Sequence, residues 1–129
     1  MELKWLTRQM ILAIHGEAIV VFGGLPSIRD MALLESAIDR PKTPLAYGDN
    51  SSLFDLAAAL CCGIVKNHPF LDGNKCTGLL SARAFLFLNS QVFEPTEVDE
   101  VTMMVGVAHG TVEEAMLVSW LARFSTRRA

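Results

Sequence analysis

His68-Pro69-Phe70-Leu71-Asp72-Gly73-Asn74-Lys75 sets a histidine, a carboxylate, a glycine, an amide and a cation between two apolar, helix-like segments. Before it, Ser52-x-x-Asp55 reads as a capping box opening a helix that runs to about Asn67. Leu56, Ala59, Leu60, Gly63 and Ile64 in that helix are small or apolar and suit close packing. Pro69 ends it and biases His68 toward an extended conformation, at a helix end with its side chain free to face a cleft. After the stretch a helix restarts at Asn74 and runs to about Asn89. Leu79, Leu80, Ala82, Ala84, Phe85, Leu86, Phe87 and Leu88 cover nearly its whole circumference, and a helix apolar all round belongs in the centre of a bundle. Its exception, Arg83, needs a partner or a path to solvent.

Outward from this pair the apolar spacing stays helical nearly throughout, and no segment alternates convincingly with period two. Thr7 to Phe22 is a helix with Met10, Ile11, Ile14, Ala18, Val21 and Phe22 on one face, ended by Gly23-Gly24 and Pro26. His15 lies beside that stripe and reads as a packed or half-exposed histidine. A shorter helix follows from the N-cap Asp30 to about Arg40, where Pro41 stops it. Lys42 to Asn50, with Pro44, Gly48 and Asp49-Asn50, is expected to be a loop, and Tyr47-Gly48 within it is a candidate flap. Toward the C-terminus, Thr96-x-x-Asp99 caps a helix from about Glu97 to His109, and Gly110 ends it. Thr111-x-x-Glu114 is expected to cap the last helix, to about Phe124, with Ser125 to Ala129 frayed. The expectation is an all-α, compact single-domain bundle of about six helices over residues 1–129, with the motif loop between two central helices.

The bulk composition narrows the function. Net charge is −3, and the longest basic run is Arg127-Arg128, which argues against direct nucleic-acid binding. Apolar residues make up 51% of the chain, yet the richest stretch, Leu79 to Leu88, carries Arg83 and is too short to span a membrane. The opening Met1-Glu2-Leu3-Lys4-Trp5 lacks the regions of a signal peptide, so a cytoplasmic protein is expected. Cys61, Cys62 and Cys76 form no C-x-x-C pair and read as reduced thiols, the first two packed as small hydrophobes.

The central stretch carries the chemistry. A helix that begins near Asn74 exposes unpaired N–H groups and the positive end of its dipole. Gly73 lets a phosphate approach the backbone, Lys75 adds charge, and the Asn74 amide can donate to a phosphate oxygen. Asp72 repels a bare anion but suits a Mg²⁺ ion bridging it to phosphates. His68 can take a proton from an attacking hydroxyl, and Phe70 is expected to point into the core and pin the loop. Together these suit nucleotide-dependent transfer of a phosphorus group to a hydroxyl. The plainer alternative is a helix joint in which Asp72 or Asn74 only caps the next helix.

The eight residues resemble the signature of the Fic/Doc family, H-P-F-x-[DE]-[GA]-N-[GK]-R. Gly23-Gly24, Ile28-Arg29-Asp30 through Ser36-Ala37, Arg40-Pro41 and Val118-x-Trp120-Leu121 resemble its Doc branch, the death-on-curing toxins, so the likeness covers nearly the whole chain. The resemblance implies the Fic fold, with His68 as general base, Asp72 holding Mg²⁺, and Gly73 and Asn74 binding nucleotide phosphates. Lys75 matches the Doc branch, where AMP-transferring Fic proteins have glycine. That branch implies a kinase that moves phosphate from ATP to a threonine of a translation factor such as elongation factor Tu, halting translation. It also implies a small antitoxin whose C-terminal segment folds into a hydrophobic groove of the toxin.

Two positions depart from the family pattern. Cys76 stands where both branches have an arginine that contacts phosphates, and a thiol supplies no bidentate cation. Leu79 stands at the second arginine of AMP-transferring proteins, in keeping with the Doc branch. The self-inhibitory S/T-x-x-x-E-[G/N] motif of many Fic proteins is missing, so inhibition is expected from another chain. Besides phosphate transfer, the sequence leaves open nucleotidyl (AMP) transfer, or an impaired homologue that only binds an antitoxin.

Overall fold

The structure, a computed structural model, describes residues 2–46, 48 and 50–128. Its helices are α1 (Arg8–Phe22), α2 (Met31–Asp39), α3 (Lys42–Ala46), α4 (Leu53–Asn67), α5 (Asn74–Leu88), α6 (Glu97–His109) and α7 (Glu114–Arg123). Two short strands, β1 (Gln91–Phe93) and β2 (Ser125–Arg127), complete it. The expected all-helical bundle is present. None of its helices is long and apolar enough to cross a membrane, among the described residues.

The expected start signals hold for α1, α2, α4 and α6. Thr7 Oγ1 accepts from Met10 N–H, and Asp30 Oδ1 accepts from Leu33 N–H. Ser52 and Asp55 form the reciprocal capping box, and Thr96 Oγ1 accepts from Asp99 N–H. The last helix departs from expectation. Its N-cap is Glu113, without a side-chain bond, while Thr111 Oγ1 donates back to Gly106 O. The turn after α6 closes on that one carbonyl, which also accepts from the backbone N–H groups of Gly110, Thr111 and Val112, so the threonine is spent on ending α6 rather than starting α7.

Helix α4 is the centre of the molecule. Every residue from Leu56 to Val65 is buried, and the helix packs against α2, α5, α6 and α7. Its small residues, Ala57, Ala58, Ala59 and Gly63, let neighbours close in from all sides. Helix α5 packs on it most extensively but is not buried all round: Phe87 is 48% exposed. The expected partner of Arg83 is Glu100 on α6, at 2.7 Å, with a second bond to Phe93 O at 3.2 Å.

Two further expectations are corrected, and a third falls partly outside the described residues. Lys42–Ala46 is a short helix, not a loop. Pro44 sits in its first turn, where no intrahelical acceptor awaits its missing N–H. Of the expected flap, Tyr47 lies outside the described residues, and Gly48 is exposed with its N–H on Leu45 O. Ser125–Arg127 do not fray: they form β2, which pairs antiparallel with β1, Val92 opposite Thr126. Three residues per strand are too few for an alternating pattern to show in sequence.

Candidate active site

The motif joins α4 to α5 and is gripped by the segment after α1. Ser27 O accepts from Leu71 N–H, and Pro69 O accepts from both Arg29 and Asp30 N–H. Ile28 and Phe70 form an isolated antiparallel bridge. One short stretch thus starts α2 and holds the loop, since Asp30 both caps α2 and bonds Pro69.

His68 is the C-cap of α4 in the left-handed conformation, φ 53° and ψ 53°, rather than extended. Proline bars the right-handed helical region to the residue before it. The left-handed cap respects that bar and also lets His68 N–H close the last turn on Ile64 O. The side chain is exposed. Arg29 caps the same helix end from outside: Nε donates to His68 O at 2.7 Å and Nη2 to Asn67 O at 2.9 Å.

Phe70 is fully buried, as expected, and pins the loop. Burying a phenyl ring of this size stabilises by roughly 2–3 kcal/mol. The Asn74 carboxamide closes around the Phe70 backbone, accepting from its N–H at 3.0 Å and donating to its carbonyl at 2.9 Å. One N–H and the oxygen of that amide are committed to the loop, which leaves Asn74 its backbone N–H and one side-chain N–H.

Asp72 is exposed, and one carboxylate oxygen, Oδ2, accepts from Leu25 N–H at 2.8 Å. It does not cap α5. The N-cap is Gly73, left-handed at φ 82°, with no side-chain bond to the helix start. Neither Asp72 nor Asn74 is therefore a mere capping residue, and the first N–H groups of α5 keep their positive field. A side chain on Gly73 would press on Ile19 Cδ1 at 3.2 Å. Lys75 is exposed beside this helix start, and Cys76 is half-buried one residue on.

A cavity of about 210 Å³ opens here, lined by Ala18, Phe22, Gly23, Gly73, Asn74, Lys75 and Cys76. A neighbouring groove of about 450 Å³ shares Phe22, Lys75 and Cys76 and continues along Leu79, Val101, Met104 and Val105, with Glu97 and Glu100 on its wall. Burial, then the Glu100 carboxylate, push the Cys76 thiol up, against a weaker pull from Lys75. Among the described residues no group of three His, Cys, Asp or Glu could hold a metal ion by protein ligands alone. A divalent cation at Asp72 would need oxygens from a second source, and phosphates over the α5 N-terminus fit that need.

Sequence reasoning singled out Gly73, Asn74, Lys75 and Cys76, which the structure places on one cavity, with Asp72 beside Gly73 and His68 outside that cavity's lining. It missed Leu25 and Arg29 as holders of the site, and gave His15 no role. His15 is 3% exposed, stacks on Phe70 with ring centroids 3.8 Å apart, and places Nε2 2.8 Å from Asp72 O. That bond crosses 57 positions, so nothing local in α1 announces it.

Known proteins resemble this chain in sequence. The sequence pattern described as Fic/DOC family matches residues 5–86. "Protein kinase doc" of Escherichia phage P1 is 32% identical over 122 residues, covering 94% of this chain and 95% of that protein. "Toxin Doc" of Mycolicibacterium smegmatis is 40% identical over 88 residues, covering 67% of this chain and 65% of that protein. With the motif at the α4–α5 joint and relatives of this kind, the chain belongs to the Fic/DOC family, on its Doc branch.

Proposed function

We propose that the chain is the toxin of a toxin–antitoxin pair, transferring phosphate from ATP to a hydroxyl, a threonine, of a translation factor such as elongation factor Tu. The observation that carries this reading is the start of α5: a left-handed Gly73 with no side-chain cap, between a tethered, exposed Asp72 and an exposed Lys75. Backbone N–H groups at that start would receive phosphate oxygens, and Lys75 would add charge. Asp72 would hold Mg²⁺ jointly with the phosphates, and the ion would neutralise charge there. His68, exposed at the C-cap of α4, would take the proton from the attacking hydroxyl. The apolar groove along Phe22, Leu79, Val101, Met104 and Val105 supports a docking place for an antitoxin segment beside the same corner.

The test is purified chain incubated with ATP, Mg²⁺ and elongation factor Tu, read by intact mass. Phosphate adds about 80 Da and AMP about 329 Da, on chemistry that shares the same positioned groups. A gain of the smaller mass, lost in His68→Ala, is the expected result. The larger mass would replace the kinase reading with nucleotidyl transfer.

A second reading has its own observation. Arg83, the nearest arginine along α5, is spent on Glu100 and Phe93 O and does not stand in for the arginine missing at Cys76. Loss of a charge contact to a transferring phosphate commonly costs about a hundred-fold in rate. On this reading the chain is an impaired homologue that only binds its antitoxin. Growth arrest that appears with Cys76→Arg and not with the parent chain would decide for it.

A further inference from the structure

We infer that His15 is a positioning residue of the motif corner, setting the Asp72–Gly73 peptide from inside α1. The ring touches two residues of the loop and leaves little room at a third. It lies parallel to Phe70, 7° between planes, and its Nε2 is 2.8 Å from Asp72 O. A Cβ on Gly73 would stand 3.4 Å from its Cδ2. A carbonyl only accepts, so Nε2 carries the proton and donates. Stacking on the buried Phe70 leaves the ring one plane in which to aim that N–H.

The consequence follows from peptide planarity. The Asp72 carbonyl and the Gly73 N–H belong to one trans peptide and point in opposite directions. Fixing the carbonyl toward the buried ring aims the Gly73 N–H away from that ring, at the uncapped start of α5. Leu25 N–H fixes the carboxylate of the same residue. Helix α1 and the turn after it therefore set Asp72 from both its main chain and its side chain. His15 never meets substrate; it acts through residues 72 and 73. The catalytic part of this inference rests on the phosphate-transfer reading, while the structural part does not.

The variants His15→Gln and His15→Phe separate the effects. Glutamine keeps a donor near the place of Nε2; phenylalanine keeps the stack and loses the donor. Two readouts are taken on the full chain: amide hydrogen exchange, and phosphotransfer kinetics with Mg²⁺·ATP. Expected in His15→Phe is about ten-fold faster exchange of the Phe70 and Thr77 amides, which bond Asn74 Oδ1 and Gly73 O, with the α4 core unchanged. KM for ATP should rise about ten-fold more than kcat falls. His15→Gln should restore both to within about three-fold of the parent. Equal protection of Phe70 and Thr77 in His15→Phe and parent overturns the inference. So does loss of protection across α4 in both variants, which would make His15 a filler of the core. If the parent itself transfers no phosphate, the functional reading fails and the exchange measurement still decides the role of His15.

Discussion

Gly24 makes room for Asp72: a Cβ on Gly24 would stand 2.9 Å from the Asp72 Cβ, in a backbone with φ 115°. The neighbouring Leu25 N–H then reaches the Asp72 carboxylate at 2.8 Å. Gly24→Ala should both strain the backbone, by about 1–3 kcal/mol, and push Asp72 off its tether. Gly23→Ala is the control, since Gly23 also has positive φ but open space around it. Thermal unfolding should report a loss in both variants, and the Mg²⁺ dependence of phosphotransfer should shift in Gly24→Ala alone. Equal Mg²⁺ dependence in the two would show that the tether does not matter.

The Asn74 carboxamide is worth more to the fold than its exposed neighbours. Asn74→Ala leaves the Phe70 N–H and carbonyl unpaired inside a buried loop. An unsatisfied buried group costs about 1–3 kcal/mol, so about 2–4 kcal/mol is expected for the two together. Ser81→Ala, two turns further along the buried face of α5, removes a hydroxyl that has no partner among the described residues and should be nearly neutral. Urea unfolding of the pair measures the contrast, and similar losses for both would refute it.

The sequence made legible what is local. Helix starts at Thr7, Asp30, Ser52 and Thr96 rest on contacts three residues apart, and the motif is contiguous. Long-range pairings were not legible. Lys4 and Asn89 bond across 85 positions, and β1 meets β2 from opposite sides of two helices. The same limit hid His15, Leu25 and Arg29, whose roles exist only once α1 and the 27–30 segment are folded onto the loop. Cys76 was visible as a departure, but Arg83's commitment to Glu100 was not, because charge spacing along α5 says nothing of α6.

The buried thiols give the fold an alkaline weakness. Burial is the main cause that pushes the Cys62 thiol up to about 11, with Glu114 adding to it, and Cys61 is pushed up as well, by burial first. An unfolded thiol ionises near its ordinary value of about 8.5, while the folded one stays protonated. Between there and about 11 the native state binds more protons than the unfolded state, so stability falls as pH rises through that window. Below it the contribution is fully present. Cys62→Ala should flatten the decline between about pH 8.5 and 11, by about 2–3 kcal/mol over the window, measured by denaturant unfolding at each pH. An unchanged slope in the variant would assign the decline to other groups.

Arg29 should govern His68 without meeting the substrate. Its guanidinium holds the two last carbonyls of α4, Asn67 O and His68 O, at a helix end where a cation is also favoured by the dipole. His68 sits there in a left-handed conformation that costs about 1 kcal/mol or more for a residue with a side chain. Removing the clamp should free the cap to relax and let the exposed imidazole wander from the hydroxyl it would serve on the proposed reading. Arg29→Ala should therefore lower kcat about ten-fold or more while leaving KM for ATP nearly unchanged, because the α5 start is untouched. Arg29→Lys should recover little, since one ammonium cannot reproduce two donors in a fixed fork. Steady-state phosphotransfer with the threonine-bearing acceptor separates the two constants. A rise in KM for ATP with kcat preserved would place Arg29 with the nucleotide corner rather than with the general base.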